Sequence, residues 1–236
     1  MKEVTIGLHN KIFEIAPGYR RGVLVVQGIK NEPSSPELQR LLEQAMQKVR
    51  QELTIEDPKL EAWREAFTKA SIKPNKFRPS VDALVRRVLN GNPLPNISTV
   101  VDIGTILSLR HVLPCGAHSL NDVTTELTLR PASGFEQFIP FGSHEAEPIM
   151  SNEIVLADGN TVATSKWAWR QAEHTIIRPE TTALELNIDA LSVIDDQAFQ
   201  ETIDDAQDLF KTLLGKEAAA YVLNKDNPTI IVNVEE

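Results

Sequence analysis

The sequence changes texture near its middle, and the order of the two textures restricts the fold more than any single motif. Up to about residue 112 apolar side chains recur mainly at helical spacing; beyond 127 they come in short extended runs separated by Gly, Pro, Asn and Asp. Leu38, Leu41, Leu42, Ala45 and Val49 form an amphipathic stripe. It begins at Ser34-Ser35-Pro36-Glu37: a capping serine, a proline early in the first turn and a carboxylate at the positive end of the helix. Leu60, Trp63, Phe67 and Ala70 predict a second helix over 58–70. A third covers 80–89 and ends at Asn90-Gly91-Asn92-Pro93, and a fourth covers 98–112 before Pro114. The segment 71–80, with Pro74 and Pro79, reads as an ordered loop.

Strands are expected at 127–129, 135–138, 153–156, 162–169 and 183–188, then a helix over 195–215 and a last strand at 229–234. Ahead of the helices, residues 4–8 and 23–26 predict a strand pair joined through APGYRRG. Helices and strands are grouped rather than alternated, which favours an α+β fold over a doubly wound parallel sheet. With no internal repeat or linker, one domain over 1–236 is expected, the strand pair and helices of about 1–70 packing on the remainder.

Composition excludes several classes. The chain has 236 residues, 42% hydrophobic and 24% charged, values that fit neither a disordered nor a coiled-coil chain. No apolar run approaches the roughly 20 residues of a membrane helix. The start, MKEVTIGLHN, lacks a signal-peptide core, and the single Cys115 suits a reducing compartment, so a cytoplasmic location is expected. The net charge of −9 is unevenly spread. Arg64, Lys69, Lys73, Lys76, Arg78, Arg86 and Arg87 face only Glu65 and Asp82 over 64–87, while 189–208 carries seven acids and no cation. The basic stretch could meet an RNA backbone; solvated helix faces are the plainer reading.

No Gly-rich phosphate loop, dinucleotide fingerprint or nucleophile elbow is present. His9, His111, His118, His144 and His174 are scattered, and Cys115 has no partner at zinc spacing, so no metal or other cofactor is expected. Cys115 and His118 share the turn-like LPCGAHSL, where a small buried cysteine is the commoner outcome. In KWAWRQAEHT, an extended strand would put Trp167 and Trp169 on one face and Lys166 and Arg170 on the other.

Residues 71–123, SIKPNKFRPSVDALVRRVLNGNPLPNISTVVDIGTILSLRHVLPCGAHSLNDV, resemble the B3/B4 domain of the phenylalanyl-tRNA synthetase β subunit, particularly its free-standing relatives. The likeness rests on the proline-rich entry, the Val-Arg-Arg helix ending in Asn-Gly-Asn-Pro, the Val-Asp-Ile helix opening and the Pro-x-Gly-Ala turn. It continues through Asn152-Glu153-Ile154-Val155 and Trp167-Ala168-Trp169-Arg170-Gln171 to Glu180-Thr181. The resemblance implies an α+β fold with a β-sandwich-like core flanked by helices. In the synthetase the module hydrolyses tyrosine wrongly esterified to phenylalanine tRNA. The implied function is therefore a free-standing factor that hydrolyses the ester of mischarged aminoacyl-tRNA, with a non-catalytic tRNA- or aminoacyl-binding module as the alternative.

Such a site holds a labile ester, positions water and stabilises an oxyanion, and it requires no metal. The partner implied is the aminoacylated 3′ end of tRNA, with no DNA or membrane. By the same resemblance His118, Gly116 and Thr105 are the expected catalytic positions. Asp102, Gly104, Cys115, Ala117, Trp167, Trp169, Arg170 and Gln171 are expected to surround the substrate, and Lys73, Lys76, Arg78, Arg86 and Arg87 to contact RNA. Asp102 also reads as a helix cap. The chain departs from the family at Gly104-Thr105, where the embedded domain commonly has Thr-Asn, and at Gly116, where it has a pocket histidine. The family's pocket glutamate falls nearest Arg170 or Gln171.

Overall fold

The computed structural model describes residues 1–235. Its strands form two sheets. One joins β1 (Lys2–Leu8), β4 (Glu126–Pro131), β5 (Ile154–Asp158), β6 (Thr161–Ser165), the short β7 (Arg170–Gln171) and β10 (Thr229–Val234), in the order β10-β1-β4-β5-β6-β7. The other joins β2 (Arg20–Gln27), β3 (Cys115–Ser119), β8 (Ala183–Ala190) and β9 (Ala219–Leu223), in the order β3-β8-β2-β9. The helices are α1 (Asn10–Ile15), α2 (Pro36–Glu52), α3 (Pro58–Lys69), α4 (Ser80–Leu89), α5 (Thr99–His111) and α6 (Asp196–Leu214).

Local chemistry accounts for the helix starts. The Ser35 hydroxyl accepts from Leu38 N–H, with Pro36 in the first turn of α2, and Asp57 accepts from Lys59 N–H at 2.8 Å at the start of α3. Helix α5 is buried on nearly all sides, between α2 and α6 and against β3. Val112, left-handed at φ 57°, ends it, and Pro114 turns the chain into β3. One apolar core runs from both sheets into all six helices, and a smaller cluster of Phe138, Ile149, Val155, Ala157 and Val162 covers the outer face of the six-stranded sheet.

Four expectations need correction. The N-terminal strands do not pair: β1 lies between β10 and β4, β2 lies between β8 and β9, and α1 carries the chain between sheets. Helix α1 leaves little mark on the sequence because it has only six residues and is capped by a histidine ring, His9 Nδ1 accepting from Lys11 N–H. The turn expected around Cys115 is strand β3. Residues 135–138 make only isolated bridges, and β9, exposed and alanine-rich, carries no alternation to reveal it.

The fourth concerns the tryptophans. The strand expected over 162–169 stops at Ser165, because Lys166 (φ 51°) and Trp167 (φ 64°) are both left-handed. Such backbone costs about 1–3 kcal/mol per residue. Burial of Trp167, 1% exposed against Tyr19, Trp63 and Phe67 with ring centroids 5.6, 5.6 and 6.4 Å away, contributes about 4–6 kcal/mol and offsets that cost. The turn also ends the expected alternation. Trp169 packs edge-on to Phe77 at 4.8 Å, and Lys166 Nζ lies 4.6 Å from the Phe77 ring centre and 5.0 Å from that of Trp169. Rings and cation therefore share one surface here.

Candidate functional site

Strand β3 is a sheet edge, bonded to β8 on one side only. Its register pairs Gly116 with Asn187 and His118 with Glu185. Alternation turns the backbone groups of Cys115, Ala117 and Ser119 away from β8. Of these, Cys115 N–H donates to Ser108 Oγ (3.1 Å), Ser119 N–H donates to Thr175 O (3.0 Å), and Ala117 O accepts from Gln171 Nε2 (2.9 Å). The Ala117 N–H is left as the outward donor of this edge.

That edge borders a cavity of 290 Å³. Six expected positions meet there: Gly104, Thr105, Cys115, Gly116, Ala117 and Gln171. The rest of its wall is apolar, chiefly Ile97, Val100, Val101, Phe141, Ile176 and Ile177. Thr105 Oγ1 donates to Val101 O, as a helix hydroxyl often does. Gln171 Nε2 is held by Ala117 O and by Thr175 O at 3.3 Å, so its Oε1 is the acceptor left for a ligand. Burial pushes the Cys115 thiol well above its ordinary range, which keeps it protonated and a poor nucleophile.

Between the two sheets lies a second chamber of 230 Å³, lined by Arg21, His118, Thr164, Trp167, Trp169, Arg170, Asn187 and Asp189, and sharing Cys115, Gly116 and Gln171 with the aliphatic cavity. His118 thus faces the chamber, on the opposite side of β3 from Ala117. Its Nδ1 lies 2.7 Å from Thr175 Oγ1 and its Nε2 3.3 Å from Thr164 Oγ1. Burial, with Arg21 and His174 adding repulsion, lowers its pKa to about 3, so the ring is neutral. Asp102 reaches neither space. Its Oδ1 accepts from Ile97 N–H at 3.0 Å and ties down the chain entering α5.

The buried polar groups in and behind the chamber include several the sequence reading missed. Arg21 Nε and Nη2 clasp Asp189 at 2.7 and 3.1 Å, Tyr19 Oη donates to Asp189 Oδ1 at 2.7 Å, and Asn187 Nδ2 lies 3.3 Å from Asp189 Oδ2. Among the described residues, Arg21 Nη1 and both Glu185 oxygens are buried without partners, and Trp167 Nε1 lacks an aligned acceptor. Burial pushes Glu185 up to about 7, Arg21 pulling down and Asp189 pushing up more weakly. The available signal was the alternation Glu185, Asn187, Asp189, which looks like a solvent face.

The basic residues divide. Lys73 and Lys76, both exposed, line a 790 Å³ surface groove that also holds Lys166; Arg78 is exposed and does not line it. Arg86 is bound to Asp82 at 3.0 Å, and Arg87 Nε donates to Pro93 O at 2.8 Å. Arg170 stands on the chamber rim, 3.6 Å from Glu147. Among the described residues no helix is long and apolar enough to cross a membrane.

Two sheets packed with six helices around one core, with a cavity at a sheet edge, define an α+β module of the sandwich type. The B3/4 domain family matches residues 62–215, and the chain belongs to that family. No curated protein matches the chain. Among solved structures, an N-terminal fragment of the phenylalanyl-tRNA synthetase β subunit from Pyrococcus horikoshii is similar, with a TM-score of 0.50 at 11% identity. The alignment covers 98% of this chain and 54% of that one, so the chain spans about half the length of the structure it matches.

Proposed function

We propose that the protein acts on aminoacyl-tRNA and hydrolyses the ester of a mischarged species. The observation that carries this reading is the convergence of Gly104, Thr105, Cys115, Gly116, Ala117 and Gln171 on one cavity beside an unpaired strand edge. The amino-acid side chain occupies the aliphatic cavity, and the ester carbonyl lies along β3, where the Ala117 N–H donates to the oxygen as it becomes an oxyanion. Gln171 Oε1 accepts from the attacking water. Water oxygen bonds to the carbonyl carbon, the C–O ester bond breaks, one proton of the attacking water passes to the departing ribose oxygen, and the freed carboxylic acid loses the other to solvent. His118 takes no proton in this scheme. It holds the amide of Gln171, 3.4 Å from Nδ1, as a positioning residue. Lys73, Lys76 and Arg78 meet tRNA phosphates.

A specific feature favours a second reading, a non-catalytic module that binds tRNA or an aminoacyl group. Among the described residues, the aliphatic cavity has no titratable side chain besides the protonated Cys115 to serve as acid or base. Deacylation of a panel of mischarged tRNAs separates the two: turnover above buffer supports the hydrolase, and saturable tRNA binding without turnover supports the module.

A further inference from the structure

The outermost strands of the two sheets are β3, β7, β9 and β10. Strand β3 is engaged by Ser108, Thr175 and Gln171, β7 by Phe141, whose N–H donates to Gln171 O at 3.0 Å, and β10 by Gln27, which bonds both Asn233 O (2.9 Å) and Glu235 N–H (2.8 Å). Strand β9 differs. It pairs with β2, Arg21 facing Leu223 at one end and Val25 facing Ala219 at the other, and along its other side no backbone group has a partner among the described residues. Ala219, Ala220, Tyr221 and Val222 are all exposed. Exposed edges are ordinarily blunted by a charge, a proline or a bulge. The stretch AAYVL has none of these, and its register with β2 is regular.

We propose that this edge binds a second copy of the chain: two β9 strands pair antiparallel about a two-fold axis at Tyr221 and join two four-stranded sheets into one. The flanking charges select this partner and this register. Lys216 and Glu217 precede the strand; Lys225 and Asp226 follow it, exposed, in a turn held by Asn224 Oδ1. With Tyr221 facing Tyr221, Lys216 of each copy stands opposite Asp226 of the other, and Glu217 opposite Lys225. Moving the axis one residue, to Ala220 or Val222, removes both matches, and a parallel pairing sets every charge beside its own kind. Glu217 is free to exchange partners, since its pair with Lys211 (2.9 Å) lies on the surface with the carboxylate side chain 81% exposed. A strand of five residues spans about 17 Å and buries less than the roughly 800 Å² per partner of a standard interface, so the expected association is reversible, with a Kd of about 10–100 μM. No residue of β9 lines the chamber or the aliphatic cavity, and the strand lies outside the span matched by the family, so the dimer stands apart from the deacylase reading.

Sedimentation velocity of the full chain from about 1 to 300 μM tests this. A monomer–dimer equilibrium is expected. Glu217→Lys and Lys225→Glu, each of which sets like charges opposite one another, should each weaken it about tenfold. The double variant Glu217→Lys/Lys225→Glu re-forms the pair with its signs exchanged and should restore it. These positions are exposed, and circular dichroism checks that each variant keeps the fold. In a Cys115→Ala background, mild oxidation should cross-link Tyr221→Cys to its own copy and leave Ile231→Cys, exposed on β10, without cross-links. A chain that stays monomeric throughout the range, a double variant no better than either single one, or cross-linking through position 231 in preference to 221 overturns the proposal.

Discussion

Glu185 offers a quantitative test of the buried polar face. It is 0% exposed, neither carboxyl oxygen has a partner among the described residues, and burial raises its pKa from 4.5 to about 7. Below pH 4.5 the group is protonated in both folded and unfolded chains and affects stability little. Between 4.5 and 7 the unfolded chain releases the proton more readily than the folded one, so stability falls as pH rises. Above 7 the full cost is present, about 3 kcal/mol for a rise of this size. Glu185→Gln keeps the shape and removes the titration. Urea unfolding of both proteins at pH 4.5, 6, 7 and 8.5 should give nearly equal stabilities at the acid end. At pH 8.5 the variant should be ahead by about 3 kcal/mol, worth about 6–12 °C in Tm for a chain of this length. A difference independent of pH would show that Glu185 is ionised and solvated in the folded state, and the description of the buried polar face of β8 would fail with it.

Other consequences follow from the same geometry. His118 works in the opposite direction: its folded pKa lies near 3 against 6.5 unfolded, so stability is lost as pH falls through that window, and His118→Gln should flatten the acid limb by up to about 5 kcal/mol in equilibrium unfolding. Trp167→Ala should cost about 3–5 kcal/mol in the same assay, because it empties the space between Tyr19, Trp63 and Phe67. Replacing Lys73, Lys76 and Arg78 together by Glu should weaken tRNA binding and reduce the slope of log affinity against log salt by about 2–3. An unchanged slope removes that surface from the account.

Much of the architecture was legible where periodicity and end signals agreed. Ser35 caps α2, Asn90 and Gly91 follow α4, and Gly215 closes α6 in a left-handed conformation, at or within a residue or two of the places the sequence marks. The group at positions 104, 105, 115, 116, 117 and 171 was reached through resemblance, not periodicity, since two glycines and an alanine carry no pattern of their own. Two features were hidden by rules that usually hold. Polar residues alternating along a strand usually face water, but Glu185, Asn187 and Asp189 are buried: Asp189 is paired with Arg21, Asn187 contacts Asp189, and burial favours the protonated form of Glu185. Adjacent tryptophans around an alanine usually continue a strand, but burial of Trp167 outweighs two left-handed residues, and the chain turns. In both cases the deciding partner, Arg21 or Tyr19, lies more than 140 residues away in sequence.

The central claim is ester hydrolysis at the aliphatic cavity beside the β3 edge. It is tested most directly by single-turnover deacylation of a panel of mischarged tRNAs, comparing the natural protein with Val101→Trp, which fills that cavity from α5. The account predicts hydrolysis well above buffer for at least one apolar aminoacyl-tRNA, and its loss in the folded variant. No turnover on any member of the panel, or turnover that survives with the cavity filled, would contradict it.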